Sequence, residues 1–239
     1  MAYFSRYWHI STTLKNSLVS AWELNETSGN AIDSYGSNDG TLVGPPTQGA
    51  TGKINNAYDF DASTDYVEMA SDVSLAITDV ITLSAWVKIE NNATAPQIFI
   101  GKTPNDTAHE SPWFNYSLHA VSTTTTDAVI RLWIADSGNT GHTVSANVVN
   151  FIGGWHFVVG TYDGTTMRVY VDNGEIDSGT WLSGIIKTTD KKLFLGCNGG
   201  QGEKIKGLID QTAIWNRALT VDEIGLLYNS GNGLAYSSW

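Results

Sequence analysis

Three groups of residues in this chain have types and positions that could do chemistry. The first is rich in oxygen. Asn25, Glu26, Asp33, Asn38 and Asp39 crowd a polar stretch from Asn25 to Gly44, and Asp210 stands alone in a late apolar run. Calcium takes about six to eight oxygen ligands from irregular Asn/Asp/Gly loops, so such a stretch could hold it. Asx side chains also build turns without any metal, and a buried Asp can be satisfied by backbone N–H groups. The second group is aromatic. Tyr35, His109, Trp113, Tyr116, His119, Trp133 and Trp181 fall in or beside long loops or at strand edges. Flat aromatic faces stack on the apolar face of a sugar ring, and polar neighbours bind its hydroxyls. The third group is acidic: Glu175-Ile176-Asp177 is the only Glu-x-Asp. Glycoside cleavage needs two carboxylates at a fixed separation. Cys197 is the only cysteine and the five histidines show no ligand spacing, which argues against zinc. No Ser-His-Asp set, phosphate loop or dinucleotide fingerprint appears.

The bulk composition narrows the partners. Acidic residues number 24 against 13 basic, a formal charge of −11. Nucleic acid needs a basic surface and is not expected as a partner. No run is long enough for membrane insertion, and MAYFSRYWHIS is not a secretory signal peptide. One cysteine allows no internal disulfide. Nine Trp and ten Tyr leave aromatic surface to spare after a core is built.

The elements that must position these residues are short strands. Candidate strands are 18–24, 58–61, 66–69, 81–90, 98–102, 113–119, 129–135, 142–149, 155–162, 167–172, 175–181, 193–197 and 207–215. Ile81, Leu83, Ala85, Val87 and Ile89 alternate onto one face. Asp163-Gly164 and Asn173-Gly174 are hairpin signals. Trp22, Trp86, Trp155 and Trp215 sit inside well-patterned strands and are expected in the core. Thr220 precedes Glu223 by three residues, the capping-box spacing, and Ile224, Leu227 and Tyr228 make one apolar stripe. A short helix is expected there, covering an open end of a sandwich. By alternation Asp210 shares a face with Leu208 and Ile214, where an unpaired carboxylate is costly. The fold class expected is all-β: an antiparallel two-sheet jelly-roll sandwich with a short C-terminal helix. Residues 1–17 read as an aromatic N-terminal arm and 18–239 as one domain.

Six segments in order resemble the laminin-G-like jelly rolls of the concanavalin A-like lectin/glucanase superfamily. They are LVSAWELNETSG (18–29), DSYGSNDGTL (33–42), NAYDFDASTDYVEM (56–69), ITLSAWVK (81–88), WHFVVGTYDGTTMRVYVDNGE (155–175) and GLIDQTAIWNRALTVDEIGLLYNSG (207–231). The resemblance implies a structural calcium tying an N-terminal loop to the closing strand, with Asp33 and Asp210 as principal ligands and Glu26 and Asp39 beside them. Asn25 and Gln211 stand where the family commonly has acids. Glucanases of this fold commonly carry Glu-x-Asp-x-x-Glu, but Thr180 stands where the third acid would follow Asp177.

The function expected is therefore a non-catalytic, lectin-like binding or adhesion module. Its partner would be a glycan or cell-surface polysaccharide, met through Tyr35, His109, Trp113, Tyr116 and Trp181. The alternatives are a glycan-active hydrolase or lyase, or a structural cement protein. A starting Met, an aromatic arm, no signal peptide and no cysteine pair look like a phage virion component, a capsid decoration or tail part. The setting expected is a virion or extracellular surface, with the arm attaching to other virion proteins.

Overall fold

A computed structural model describes residues 14–90, 95–106, 111–180, 184–199 and 202–239. The strands are β1 (Leu18–Trp22), β2 (Gly40–Val43), β3 (Thr47–Thr51), β4 (Asn56–Asp61), β5 (Tyr66–Met69), β6 (Ile81–Ile89), β7 (Gln97–Lys102), β8 (Tyr116–Ser122), β9 (Ala128–Ala135), β10 (Gly141–Val148), β11 (His156–Tyr162), β12 (Thr166–Val171), β13 (Gly174–Thr180), β14 (Leu193–Leu195) and β15 (Lys206–Trp215). One helix, α1 (Val221–Tyr228), follows. The expected all-β, two-sheet antiparallel fold with one short C-terminal helix is what forms. Among the described residues the first sheet runs β13-β12-β11-β6-β15-β4-β3, with β1 also paired to β15. The second runs β10-β9-β8-β7-β14-β5-β2.

The core lies between the sheets. Ile81, Leu83, Ala85, Val87 and Ile89 point into it, as their alternation predicts, and meet Leu118, Ile130, Leu132 and Ile134 from β8 and β9. Trp22 is fully buried in the same core. β2 and β3 are not among the expected strands; β2 ends the polar stretch 25–44, and β3 follows just after it.

The first sheet is buried on its outer face as well. Trp86, Phe157, Val159, Ala213 and Trp215 form a second cluster there with Ile224 and Leu227 of α1, and Trp155 packs partly buried against it. The helix therefore covers a sheet face and not an open end of the sandwich. Thr220 caps it, with the reciprocal Glu223 bond in place. Arg217 grips Glu223 through both terminal nitrogens, at 2.7 and 2.8 Å. Leu14 is buried in this cluster and its carbonyl accepts from Trp215 Nε1 at 2.6 Å. Residues 14–17 thus pack with the domain, and the rest of the expected arm lies outside the described residues.

A bulge in β15 corrects the reading of Asp210. Asp210 pairs with Trp86 and Ala213 with Ser84, so the register slips between them, and Gln211 takes a left-handed φ of 47°. The slip turns Ile214 into the inner core while Asp210 stays beside Trp86 on the outer face. Asp210 and Ile214 do not share a face.

Candidate functional site

The second sheet, in contrast to the first, leaves part of its outer face open. In β8 and β9, Leu118 and Leu132 face the core, so the intervening residues face out. Those residues are Ser117 opposite Trp133 and His119 opposite Arg131. Paired residues of antiparallel strands share a face, so the four form one patch. Pro96 just before β7, Trp113 and Phe114 just before β8, and Glu203 ahead of β15 wall it in. Pro96, Trp113, Phe114, His119, Arg131, Trp133 and Glu203 line a groove of about 210 Å³.

Each wall has a local cause. Trp113 has a φ of 67°, and the Phe114 N–H donates to the Pro112 carbonyl at 2.8 Å, closing a three-residue turn around it. A non-glycine residue held at positive φ costs of the order of 1 kcal/mol or more, and such strain clusters at ligand clamps. The turn leaves Trp113 40% exposed at the groove mouth. Trp133 lies across Gly141 of β10. A Cβ on Gly141 would come within 2.1 Å of the Trp133 ring, so only glycine lets the indole lie there. His119 stacks on Phe114 with ring centres 5.7 Å apart, and its Nδ1 lies 3.0 Å from Ser117 Oγ. Burial, and then the Arg131 charge, push the His119 pKa down to about 3. The imidazole is neutral at physiological pH. Glu203 Oε2 accepts from Asn198 Nδ2 at 2.8 Å. Among the described residues two buried donors in the groove have no acceptor: Arg131 Nε and Trp133 Nε1. A buried donor without a partner costs about 1–3 kcal/mol, so a small shift of the groove side chains that let a ligand oxygen reach them would gain that back.

The sequence-predicted aromatics divide. Trp113, His119 and Trp133 come together here. Tyr116 does not. It follows the inward alternation of β8, is 1% exposed, and donates its hydroxyl to the Leu75 carbonyl at 2.9 Å, with burial raising its pKa. Tyr116 is a core residue and cannot meet a ligand at the surface. Tyr35 is 45% exposed but stands near Tyr236, beside the outer cluster of the first sheet, away from this groove. His109 and Trp181 lie outside the described residues. Arg131 was not singled out in the sequence. Its signal was there: a basic residue at the outward position of an alternating strand, two residues before Trp133.

The expected calcium ligands do not gather. Asp33 Oδ1 accepts from the N–H groups of Ala21, Tyr35 and Gly36 at 3.0, 3.1 and 2.9 Å, and Oδ2 from Asn38 at 3.0 Å. Asp39 Oδ1 accepts from the Asp33 N–H, and Glu26 accepts from the Ile32 N–H and the Tyr58 hydroxyl. These carboxylates organise the first loop through turns. Among the described residues no three His, Cys, Asp or Glu side chains are grouped to hold a metal. As a four-ligand set Glu26, Asp33, Asp39 and Asp210 do not fit one ion. Asp210 alone keeps an unmet need. It is fully buried, Oδ2 accepts from the Ile54 N–H at 2.8 Å, and Oδ1 has no partner. Gly52 packs against it so closely that a Cβ there would lie 2.8 Å from Oδ2.

The acidic pair is also committed elsewhere. Asp177 Oδ2 accepts from the Ser145 N–H at 2.8 Å, tying β13 to β10 across the sheet edges. Glu175 reaches Arg168 at 3.8 Å. Neither lines the groove.

Comparison with known proteins agrees with this architecture. A family model described as the concanavalin A-like lectin/glucanases superfamily matches residues 61–225. Human pappalysin-1 is 23% identical over 191 residues, which is 71% of this chain and 11% of pappalysin-1. The botulinum neurotoxin serotype D ligand binding domain, solved in complex with N-acetylneuraminic acid, superposes with a TM-score of 0.69 at 17% identity, over 92% of this chain and 52% of that one. The binding domain of Paraclostridial Mosquitocidal Protein 1 gives 0.69 at 14% identity, over 91% and 53%. The chain spans about half the length of these solved structures, and at such identities they share its fold. With the family model covering well over half of its length, the chain belongs to the concanavalin A-like lectin/glucanase superfamily.

Proposed function

We propose that this protein is a non-catalytic, lectin-like module that binds a glycan in the groove on the outer face of its second sheet. The observation that carries this reading is the meeting, in one groove, of a strained, exposed Trp113 with the unsatisfied donors of Trp133 and Arg131. Aromatic faces bind the apolar side of a sugar ring, and the orphan donors bind its oxygens once the groove side chains shift to admit them. The groove is smaller than the roughly 300–1,000 Å³ of sites that enclose drug-sized ligands, so one ring enters and the rest of the glycan lies outside. Family membership supports a lectin-like role. The ligand of the matched neurotoxin domain is consistent with it, although this chain matches only half of that domain. The structural uses of Asp177 and Glu175 favour binding over cleavage.

The test is a glycan array with the wild-type protein and Trp113→Ala. The reading expects discrete hits that the variant loses by ~10-fold or more, since stacking on one aromatic is worth about 0.5–1.5 kcal/mol beyond its buried area. An empty array, or hits indifferent to Trp113, counts against it.

Calcium is kept as a ligand of Asp210 alone, on the strength of its unmet Oδ1. A virion or extracellular setting, with residues 1–16 attaching to a particle, is proposed from the aromatic Tyr3, Phe4, Tyr7 and Trp8 of that stretch. Deleting those residues should abolish assembly while leaving the domain folded, and particles that still carry the truncated protein would refute it.

A further inference from the structure

The groove's charge points to a class of sugar, and this inference rests on the glycan-binding reading above. Three arginines lie among the described residues. Arg168 meets Asp163 at 2.6 Å, and Arg217 is gripped by Glu223. Arg131 differs. Among the described residues it has no carboxylate at ion-pair distance, and its Nε–H is buried without an acceptor. This is out of line in a chain with 24 acidic residues and 13 basic ones, where a carboxylate partner is easily supplied. Nor do its neighbours compensate. His119 opposite it in β8 is neutral, and Trp133 presents a second donor without an acceptor. The Glu203 carboxylate at the wall is engaged by Asn198.

We propose that the groove selects a sugar bearing a carboxylate, with Arg131 holding that carboxylate while Trp113 and Trp133 hold the ring. A guanidinium presents a planar fork of donors that matches a carboxylate edge-on, and charge-assisted bonds of this kind are about twice as strong as neutral ones. The formal charge of −11 repels an anion at long range. That repulsion is screened beyond about 8 Å at physiological salt, whereas the Arg131 contact is direct, so the contact decides selectivity.

The probe is a polygalacturonate oligosaccharide and its carboxyl-reduced, neutral counterpart, alongside an array of other carboxylated and sulfated glycans. Titration calorimetry would compare wild type, Arg131→Gln, Arg131→Lys and Trp113→Ala, with thermal unfolding as the check on fold. Wild type should prefer carboxylated ligands over their reduced forms by ~10-fold or more. The preference should collapse toward unity in Arg131→Gln and be partly kept in Arg131→Lys, which retains charge but not the fork. Equal affinity for both forms in wild type, with loss of both in Trp113→Ala, would overturn the carboxylate inference and leave glycan binding standing. Preference for sulfated over carboxylated glycans would also overturn it. Absence of any glycan binding would remove both readings.

Discussion

Asp210→Asn isolates the cost of one buried carboxyl. The side chain is fully buried beside Trp86, with one oxygen unpartnered. Burial is the main cause of a pKa raised from 3.8 to about 8; the backbone N–H groups of Ile54, Lys53 and Gln211 pull the other way, and the Glu23 charge adds to the rise. In calcium-free buffer the folded protein therefore keeps this group protonated up to about pH 8, while the unfolded chain ionises it near pH 4. The sign follows. A raised folded pKa contributes stability that is complete below the unfolded value and is lost as pH rises to the folded one. At about 1.4 kcal/mol per pH unit, the loss is about 4 kcal/mol between pH 5 and pH 8. Asn cannot ionise. It keeps an acceptor for the Ile54 N–H but leaves a buried amide donor unmet, which costs about 1–3 kcal/mol at every pH. The variant should thus be close to wild type in stability, or below it, at pH 5 and the more stable protein at pH 8. Denaturant unfolding of both proteins with chelator present, across pH 5 to 8, measures the difference, in which other titrating groups cancel. Parallel curves, with no change in the gap over three pH units, would refute the argument.

Three other perturbations have defined outcomes. Millimolar calcium should raise the unfolding midpoint of wild type at pH 7.5 and not that of Asp210→Asn; no shift in wild type, or equal shifts in both, removes calcium from the account. Thr220→Ala deletes the cap that accepts from the Glu223 N–H and should cost about 1 kcal/mol in denaturant unfolding. Gly141→Ala forces a Cβ against the Trp133 ring, so glycan affinity should fall and the tryptophan emission should shift while far-UV circular dichroism stays unchanged.

Much of this molecule was legible in its sequence because period-two alternation survives wherever one face of a strand is buried. β6 shows it, with five inward aliphatics in register. The capping box of α1 was legible for a local reason, since its partners are three residues apart. What it covers was not, because docking on Trp86 and Phe157 is a long-range event. The same distinction explains Asp210. A bulge at Gln211 resets the face of every residue after it, and nothing in Gln-Thr-Ala announces a left-handed residue. β2 and β3 were missed because Gly40–Val43 and Thr47–Thr51 are short and poor in large apolar residues. At the candidate site, Trp113 was read as the first residue of a strand, but it stands in the turn before β8, where a left-handed φ leaves it exposed. Tyr116 was misread because its strand begins where that turn ends, and parity from Leu118 places it inside. Arg131 went unnoticed because an arginine on a strand ordinarily faces solvent or a carboxylate, and its lack of a partner appears only in three dimensions.

The most direct test of the groove as the binding site is to watch its indoles. Protein labelled with nitrogen-15 gives a separate indole N–H signal for each tryptophan, assignable by substitution. On titration with a glycan identified from the array, the Trp113 and Trp133 signals should shift saturably, with Trp133 Nε1–H gaining the acceptor it lacks. The Trp22 and Trp215 signals, buried in the two apolar clusters, should stay fixed. Saturable binding that leaves Trp113 and Trp133 unmoved would contradict the account.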